Sequence, residues 1–477
     1  MVHASQENSA SGKYIGTVPV CQFFNGSEAP PAGIEAPPAG IEAPGLESRH
    51  SGLLPAPKIL FSKAGFQSII FWFWRVHCAA LASAKAPFVI HMVVVSIRRK
   101  IMADRKVVAG AIRTLEEVGA KARVFVSMPV IKGVTPRAFV DSHAAEKAAT
   151  KEPVTRLHGI FALDEVGLSF LDHSALYGDA CFEGILIRNG IVFLYREHLD
   201  RFWDSAAGLK IEIPYSKEAL AWHVINTIQA VGFDKKESGY IRLIVTRGIG
   251  DLGLNPKKCV GATVYAVVST IKLYPKEAYD VGIEVGVSKR IRRPGATILD
   301  PRIKSNNYLN NVLGLIEGTR NLELLESLML TADGSIAEAT VDNVFCVVKE
   351  SGYRTQPSKV KLLTPIGAYC LKGITRACIL DFARKLGYKV EEVADLMPVD
   401  LLGDDRECFM TGTGAGIMPI VKVCGNLVGD GRPGEITRKL LAQIQKAMAN
   451  PAFGVSTSAD RGQVARYMKS KRSPIKL

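Results

Sequence analysis

A lysine, a glutamate and two loops of small residues follow one another along the second half of this 477-residue chain, and their types suit chemistry. Lys304 stands in Pro301-Arg-Ile-Lys-Ser-Asn-Asn-Tyr308, ahead of a run with helical spacing. A primary amine there can add to a carbonyl and afterwards carry a proton. Glu338 stands in Gly334-Ser-Ile-Ala-Glu-Ala-Thr-Val-Asp-Asn343, just past an Asp-Gly turn on a strand-like segment. Gly373-Ile-Thr375 opens a helix, offering free backbone N–H groups, a hydroxyl and the positive dipole end to an anion. Thr411-Gly-Thr413-Gly414-Ala-Gly416 lets the backbone approach a ligand closely. Taken singly, each has a plain structural meaning: a solvated lysine, a glutamate facing water, a helix cap and a turn. Their order along the chain gains meaning only when they are taken together.

Strands and helices must bring these pieces together. Gly184–Leu194 has two β-rich runs around Asn189-Gly190, a hairpin signal. From Glu197 to Ala207 the apolar positions recur at helical spacing. Tyr240–Arg247 alternates as a strand does, and Val264–Ile271 reads as another. The pattern breaks over 273–280, which reads as an interdomain loop, and Gly282–Val287 starts a second unit. There Leu309, Val312, Leu313 and Ile316 mark one helix face, with Ser305 or Asn306 available as N-cap. Leu328–Thr340 reads as strand, turn and strand, and Ile374, Ala377, Cys378 and Leu380 continue as a helix from Gly373. The mixture predicts an α+β fold of two domains, at 155–272 and 281–450, rather than a doubly wound parallel sheet.

The net charge of +14 raises the question of a nucleic-acid partner. Its placement argues against one: residues 1–153 carry +7, residues 451–477 carry +5, and 154–450 only +2. No aromatic-interleaved basic motif accompanies the excess, so 451–477 reads as a solvated basic tail and no nucleic acid is expected. Nine cysteines without a C-x-x-C pair suit free thiols in a reducing compartment, the cytoplasm, with no metal site. Residues 28–44 repeat a seven-residue unit of turn-formers that cannot bury a core. The apolar stretches in 64–97 are interrupted by Arg75, His77, Lys85 and Pro87, so no membrane span is expected. Residues 1–101 therefore read as a largely disordered or irregular extension, with natural initiation expected at Met102, and 102–154 as an irregular or partly helical lead-in. N-terminal sequencing of the endogenous protein checks this.

The E-A-T-V-D-N-V-F segment from Glu338 and the Leu371-Lys-Gly-Ile-Thr-Arg376 segment resemble the class IV (fold type IV) aminotransferase family. D-amino-acid aminotransferase and aminodeoxychorismate lyase share that fold, and the resemblance runs from about residue 155 to about 450. Segments 172–184, 240–256 and 302–311 look most like bacterial-type branched-chain aminotransferases. The resemblance implies a small α/β domain, a larger pseudo-barrel domain and pyridoxal 5′-phosphate between them. It also implies transamination of leucine, isoleucine and valine with 2-oxoglutarate, and a homodimer or higher oligomer. The lyase and the D-amino-acid enzyme stand as alternatives.

Site roles follow from the same resemblance. Lys304 forms the Schiff base and moves the proton, Glu338 pairs with the ring nitrogen, and Tyr308 bonds the ring oxygen. Arg201 clamps the phosphate with its permanently charged fork, in a cup completed by Ile374, Thr375 and Thr413. Backbone N–H groups of Thr413 and Gly414 hold the substrate α-carboxylate. Tyr177, Phe182, Tyr240 and Arg242 form the side-chain pocket, and Tyr274 stands at an approximate spacing for another wall. Gly416 replaces a frequent Glu, Ala180-Cys181 a frequent Gly-Val, and the stretch between Phe345 and Leu362 is longer than usual.

Overall fold

Asn189 and Gly190 take left-handed φ values of 51° and 71°. Their two-residue turn closes the expected hairpin of β3 (Ala180–Arg188) on β4 (Ile191–Phe193), matching the twist of the paired strands. The computed structural model describes residues 108–117, 119–131, 134–135, 156–233, 237–270, 274–320, 322–470 and 473–475. All of them belong to one unit, Val95–Leu477. The extension expected over 1–101 lies outside the described residues.

Five more strands join that hairpin. They are β1 (Arg123–Pro129), β2 (Arg156–Ala162), β5 (Gly239–Thr246), β6 (Thr263–Ser269) and β16 (Gly454–Ser456). The seven run in the order β16-β4-β3-β5-β6-β1-β2, with every neighbouring pair antiparallel. Their β-branched and aromatic residues suit a pleated, half-buried surface. The helices Tyr195–Gly208 (α2) and Lys217–Val231 (α3) follow the short helix His173–Tyr177 (α1). Phe125, Ile185, Leu199, Phe202, Val224 and Ile241 lie in one buried cluster, each contributing roughly 1.5–3 kcal/mol.

This sheet moves two expected boundaries. Strand β1 lies between β6 and β2, inside the segment 102–154 that reads as a lead-in, so the sheet begins before residue 155. Residues 108–117 are helical as well. At the other end, β16 pairs with β4, and the helix Arg461–Lys469 buries Val464 and Met468 in the same core. Arg461, Arg466 and Lys469 ride on that amphipathic helix, so 454–469 is packed structure rather than a solvated tail; residues 471–472 and 476–477 lie outside the described residues. Inside the expected loop 273–280, Lys276–Val281 forms a short helix, α4; residue 273 lies outside the described residues.

The second sheet is mixed. It runs β12 (Lys389–Val393), β11 (Val360–Pro365), β10 (Asn343–Lys349), β13 (Arg406–Gly412), β14 (Gly416–Val423), β7 (Ile283–Ser288), β8 (Glu326–Leu330) and β9 (Ile336–Ala339). A ninth strand, β15 (Asn426–Leu427), pairs with β14. Parallel pairing occurs at β11–β12, β14–β7 and β7–β8, and antiparallel pairing elsewhere. The helix Ile374–Lys385 (α6), expected from Gly373, packs through Ile374, Ile379 and Phe382 against Phe345 and Phe409.

The helix Leu309–Gly318 (α5) departs from expectation at its start. Its N-cap is Tyr308, whose side chain makes no capping bond, in place of Ser305 or Asn306. Its apolar stripe also faces outward: Leu309, Val312, Leu313 and Ile316 are 71%, 49%, 44% and 39% exposed, while Asn311, Gly314 and Gly318 are buried. A Cβ at Gly318 would overlap Ser327 Oγ, so the inward face takes small residues because the helix lies so close to β8.

Candidate active site

Backbone hydrogen bonds stitch the Lys304 segment to the first sheet. The Phe182 N–H donates to the Lys304 carbonyl (2.9 Å), and the Asn306 N–H to the Ala180 carbonyl (2.8 Å). The Lys304 N–H donates to Ser205 Oγ at the end of α2 (3.1 Å). The lysine is thereby held at the edge of β3, although it comes from the chain that builds the second sheet. Its Nζ donates to the Tyr308 hydroxyl (3.1 Å) and lies 4.5 Å from the centre of the Phe182 ring. Tyr308 reaches it from the N-cap, one residue before the helix rather than within it.

The amine opens into a cavity of about 380 Å³, within the usual range for small-molecule sites. Arg201, Tyr308, Ile374 and Thr375 line it together with Lys304, and the turn residues Thr413 and Gly414 line it too. Phe182, Tyr240, Arg242 and Ile244 form the wall contributed by β3 and β5. The Arg242 guanidinium lies 4.6 Å from the Phe182 ring centre and 5.8 Å from that of Tyr240. Arg242 has no carboxylate partner among the described residues.

Three residues expected at the site are not on the cavity wall. Glu338 is buried just behind it, accepting from Asn343 Nδ2 (3.1 Å) and the Leu371 N–H (3.2 Å), both wall residues. Its other oxygen meets Arg293 at 2.8 Å. Burial pushes the Glu338 carboxyl up, against the pull of Arg293. Tyr177 donates instead to the Leu252 carbonyl, with its ring edge against His173. Tyr274 is a hydrogen-bond donor to Asp342 (3.2 Å), a wall residue, without lining the cavity itself.

Three supporting groups are not singled out by sequence motifs. Glu183 is fully buried on β3 and grips Arg201 through two bonds, from Nε at 2.7 Å and from a terminal nitrogen at 2.9 Å. It also contacts His198 Nδ1 at 2.7 Å. Burial would raise the Glu183 carboxyl, but Arg201 and the His198 bond outweigh it and hold it at about 2. A carboxylate can only accept, so His198 carries its proton on Nδ1. The remaining arm of Arg201 donates to the Lys372 carbonyl (2.9 Å), pinning α2 to the segment that starts α6. Arg293 performs the equivalent task for Glu338. The signal for Glu183 lies inside the 172–184 motif, but only the packing separates it from any other strand glutamate.

These residues fit pyridoxal phosphate. Gly373, the N-cap of α6, makes no side-chain capping bond, and that helix end and the Arg201 cation meet on one wall, suiting a phosphate. Asn306 Oδ1 and Thr411 Oγ1 are buried on the cavity wall without a hydrogen-bond partner, as polar atoms are when a ligand satisfies them.

Comparison with known proteins agrees. A family model described as amino-transferase class IV matches residues 180–423. A Methanocaldococcus jannaschii protein, described provisionally as a branched-chain-amino-acid aminotransferase, is 38% identical over 273 residues, covering 57% of this chain and 88% of that protein. The branched-chain-amino-acid aminotransferase of Pseudomonas aeruginosa is 33% identical over 275 residues, covering 57% and 84%. The branched-chain aminotransferase of the archaeon Thermoproteus uzoniensis, solved with norvaline, superposes with a TM-score of 0.55 at 26% identity, covering 63% of this chain and 97% of that one. Running from the first residue of β3 to the last of β14, and so spanning both walls of the cavity, the family match shows that this chain belongs to the class IV aminotransferases, enzymes that use pyridoxal phosphate.

Proposed function

We propose that this transaminase moves the amino group of leucine, isoleucine or valine to 2-oxoglutarate, giving branched-chain 2-oxo acids and L-glutamate. The observation that carries this reading is the wall of Phe182, Tyr240 and Ile244 with one unpaired cation, Arg242, among them. Apolar surface there accepts a branched aliphatic side chain, while Arg242 accepts the γ-carboxylate of glutamate. Both half-reactions use one site, so one wall must serve both side chains.

Pyridoxal phosphate, when bound, supplies the carbonyl that takes up the amine and a ring that accepts the electrons of the deprotonated α-carbon. Arg201, Ile374, Thr375 and Thr413 hold its phosphate. Lys304 would anchor the cofactor and, once freed, would move the proton on and off the substrate α-carbon. Tyr308, within reach of Nζ, keeps that amine aimed into the cavity and bonds the ring oxygen. Glu338, just behind the wall, would serve the ring nitrogen, with Arg293 offsetting part of the cost of its buried carboxylate. Backbone N–H groups of Thr413 and Gly414 orient the α-carboxylate. Incubation of the holoenzyme with L-leucine and 2-oxoglutarate is expected to yield L-glutamate, with D-alanine inert. Pyruvate released from aminodeoxychorismate, without glutamate from leucine, would replace this reading with the lyase.

A homodimer is part of the proposal. The outward stripe of α5 is a spacing of i, i+3, i+4 and i+7, normally a buried seam, and Phe170, Leu252 and Leu254 are 93%, 71% and 77% exposed. Tyr177 bonds beside that second patch, so it serves a pocket across the interface rather than in its own subunit. Leu313→Lys is expected to weaken dimerisation at least about 100-fold, since it places a charge in a dry seam. Light scattering during gel filtration reads this, and a native chain that is monomeric at micromolar concentration contradicts it. Among the described residues no helix is long and apolar enough to cross a membrane.

A further inference from the structure

Asp342 is a buried carboxyl on the cavity wall to which the chemistry above gives no role. It ends the turn between β9 and β10, where its carbonyl accepts from the Ala339 N–H (2.8 Å). A Cβ built on Gly412 would overlap Asp342 Oδ1, so that oxygen lies directly against the backbone leading into the Thr413–Gly414 turn. Thr411, across from Asn343 in the sheet, adds its unpartnered buried hydroxyl to the same wall. The proposed seat of the substrate α-carboxylate thus has another carboxyl beside it.

We propose that Asp342 must hold a proton for the pocket to take a substrate carboxylate, so that one proton enters the site with the substrate. The inference rests on the proposed reading that Thr413 and Gly414 seat that carboxylate. Two carboxylates packed together out of water cannot both keep their charge, whereas a protonated Asp342 can donate to its neighbour. Burial and the acidic neighbours favour the neutral form over the two groups that oppose it. The Tyr274 hydroxyl donates to Oδ2 (3.2 Å), a single neutral bond. Glu326 on β8 is buried nearby, and burial pushes its carboxyl up as well, but it accepts from the Thr340 hydroxyl, the Thr340 N–H (3.1 Å) and the Ser327 N–H (2.8 Å), three bonds that favour its charged form against the one that Asp342 receives. Glu338 adds a further acidic neighbour, the Tyr274 bond and Lys304 oppose them, and the Tyr240 and Tyr279 hydroxyls complete the set among the described residues. Burial foremost, then Glu326, pushes the Asp342 carboxyl up to about 7.

The sign follows from linkage. Ligand binds the protonated form, so affinity is full below the carboxyl's pKa in the free enzyme and falls as pH rises through it. The test uses 4-methylvalerate, which is leucine without its amino group, titrated into the holoenzyme from about pH 5.5 to about pH 9. The expected Kd is flat at the acid end and rises about tenfold per unit above about pH 7. Asp342→Asn keeps an acceptor for Tyr274 but cannot titrate, and its profile is expected to lose that rise. Calorimetry in two buffers of different ionisation enthalpy reads the same proton directly in the native chain. Uptake linked to Lys304 is followed separately, through the absorbance of the bound cofactor. Native and Asp342→Asn proteins with the same pH slope, or a native profile without slope, would overturn the inference while leaving the aminotransferase reading intact. Absence of any 4-methylvalerate binding at all pH values would sink the branched-chain reading and the inference with it.

Discussion

Lys304→Ala is expected to lower turnover of L-leucine with 2-oxoglutarate by on the order of 10⁴-fold or more. The lysine is proposed both to anchor the cofactor and to carry the proton, and these two roles fail together. The chain around residue 304 should stay in place, because its backbone bonds to Phe182, Ala180 and Ser205 do not involve the side chain. The melting temperature is therefore expected to change little while the purified protein loses its cofactor colour on dialysis. A stopped assay with amino-acid analysis measures the first effect, and an absorbance scan the second. A variant that retains activity within tenfold of the native chain would move the chemistry to another residue.

The second large effect is expected at a residue that touches no reacting atom. Glu183→Gln leaves the largely buried Arg201 guanidinium without its charge partner, and breaking a fully buried pair costs about 3–5 kcal/mol, an upper bound here. The amide has one acceptor oxygen where the carboxylate has two, so Arg201 and His198 cannot both be satisfied as before. Arg201 is the proposed phosphate clamp, so cofactor affinity should fall by more than about tenfold, or about 1.4 kcal/mol. The pH dependence carries the same signature. The folded state holds Glu183 at about 2 against an ordinary value of 4.5, so its contribution is complete above the ordinary value and is lost as pH falls toward 2. That difference corresponds to a stabilisation on the order of 3 kcal/mol. Thermal unfolding of the native chain between about pH 7 and about pH 3 should steepen below pH 4.5, and Glu183→Gln should remove part of that slope. Equal cofactor retention by both proteins after desalting would show that Arg201 does not need this carboxylate.

Much of this architecture is legible in the sequence because its cause is local. Asn189-Gly190 demands positive φ at two successive residues, and the chain supplies residues that accept it. Gly373 ends one segment and Ile374 starts a helix with its apolar face in register for Phe345 and Phe409. Lys304 and Glu338 are legible as members of motifs, although what holds Lys304 at the cavity is its backbone bonding to Phe182 and Ser205, far away in sequence. The errors have non-local causes. Strand β1 carries a readable apolar run, but nothing in its neighbourhood says that it pairs with β6, well over a hundred residues later. The α5 stripe has the pattern of a core-facing helix, and only the closeness of β8 behind Gly314 and Gly318 turns it outward.

Residue types and spacing put an amine, a carboxylate and two small-residue loops in one order, and the family resemblance tied that order to one cofactor, since identity and spacing are properties of the chain. Tertiary structure decided which groups stand behind them: Glu183 behind Arg201, Arg293 behind Glu338, and Asp342 against the turn at Thr413. Those pairings join strands and helices far apart in sequence, and their strength comes from exclusion of water, which exists only once both sheets are assembled.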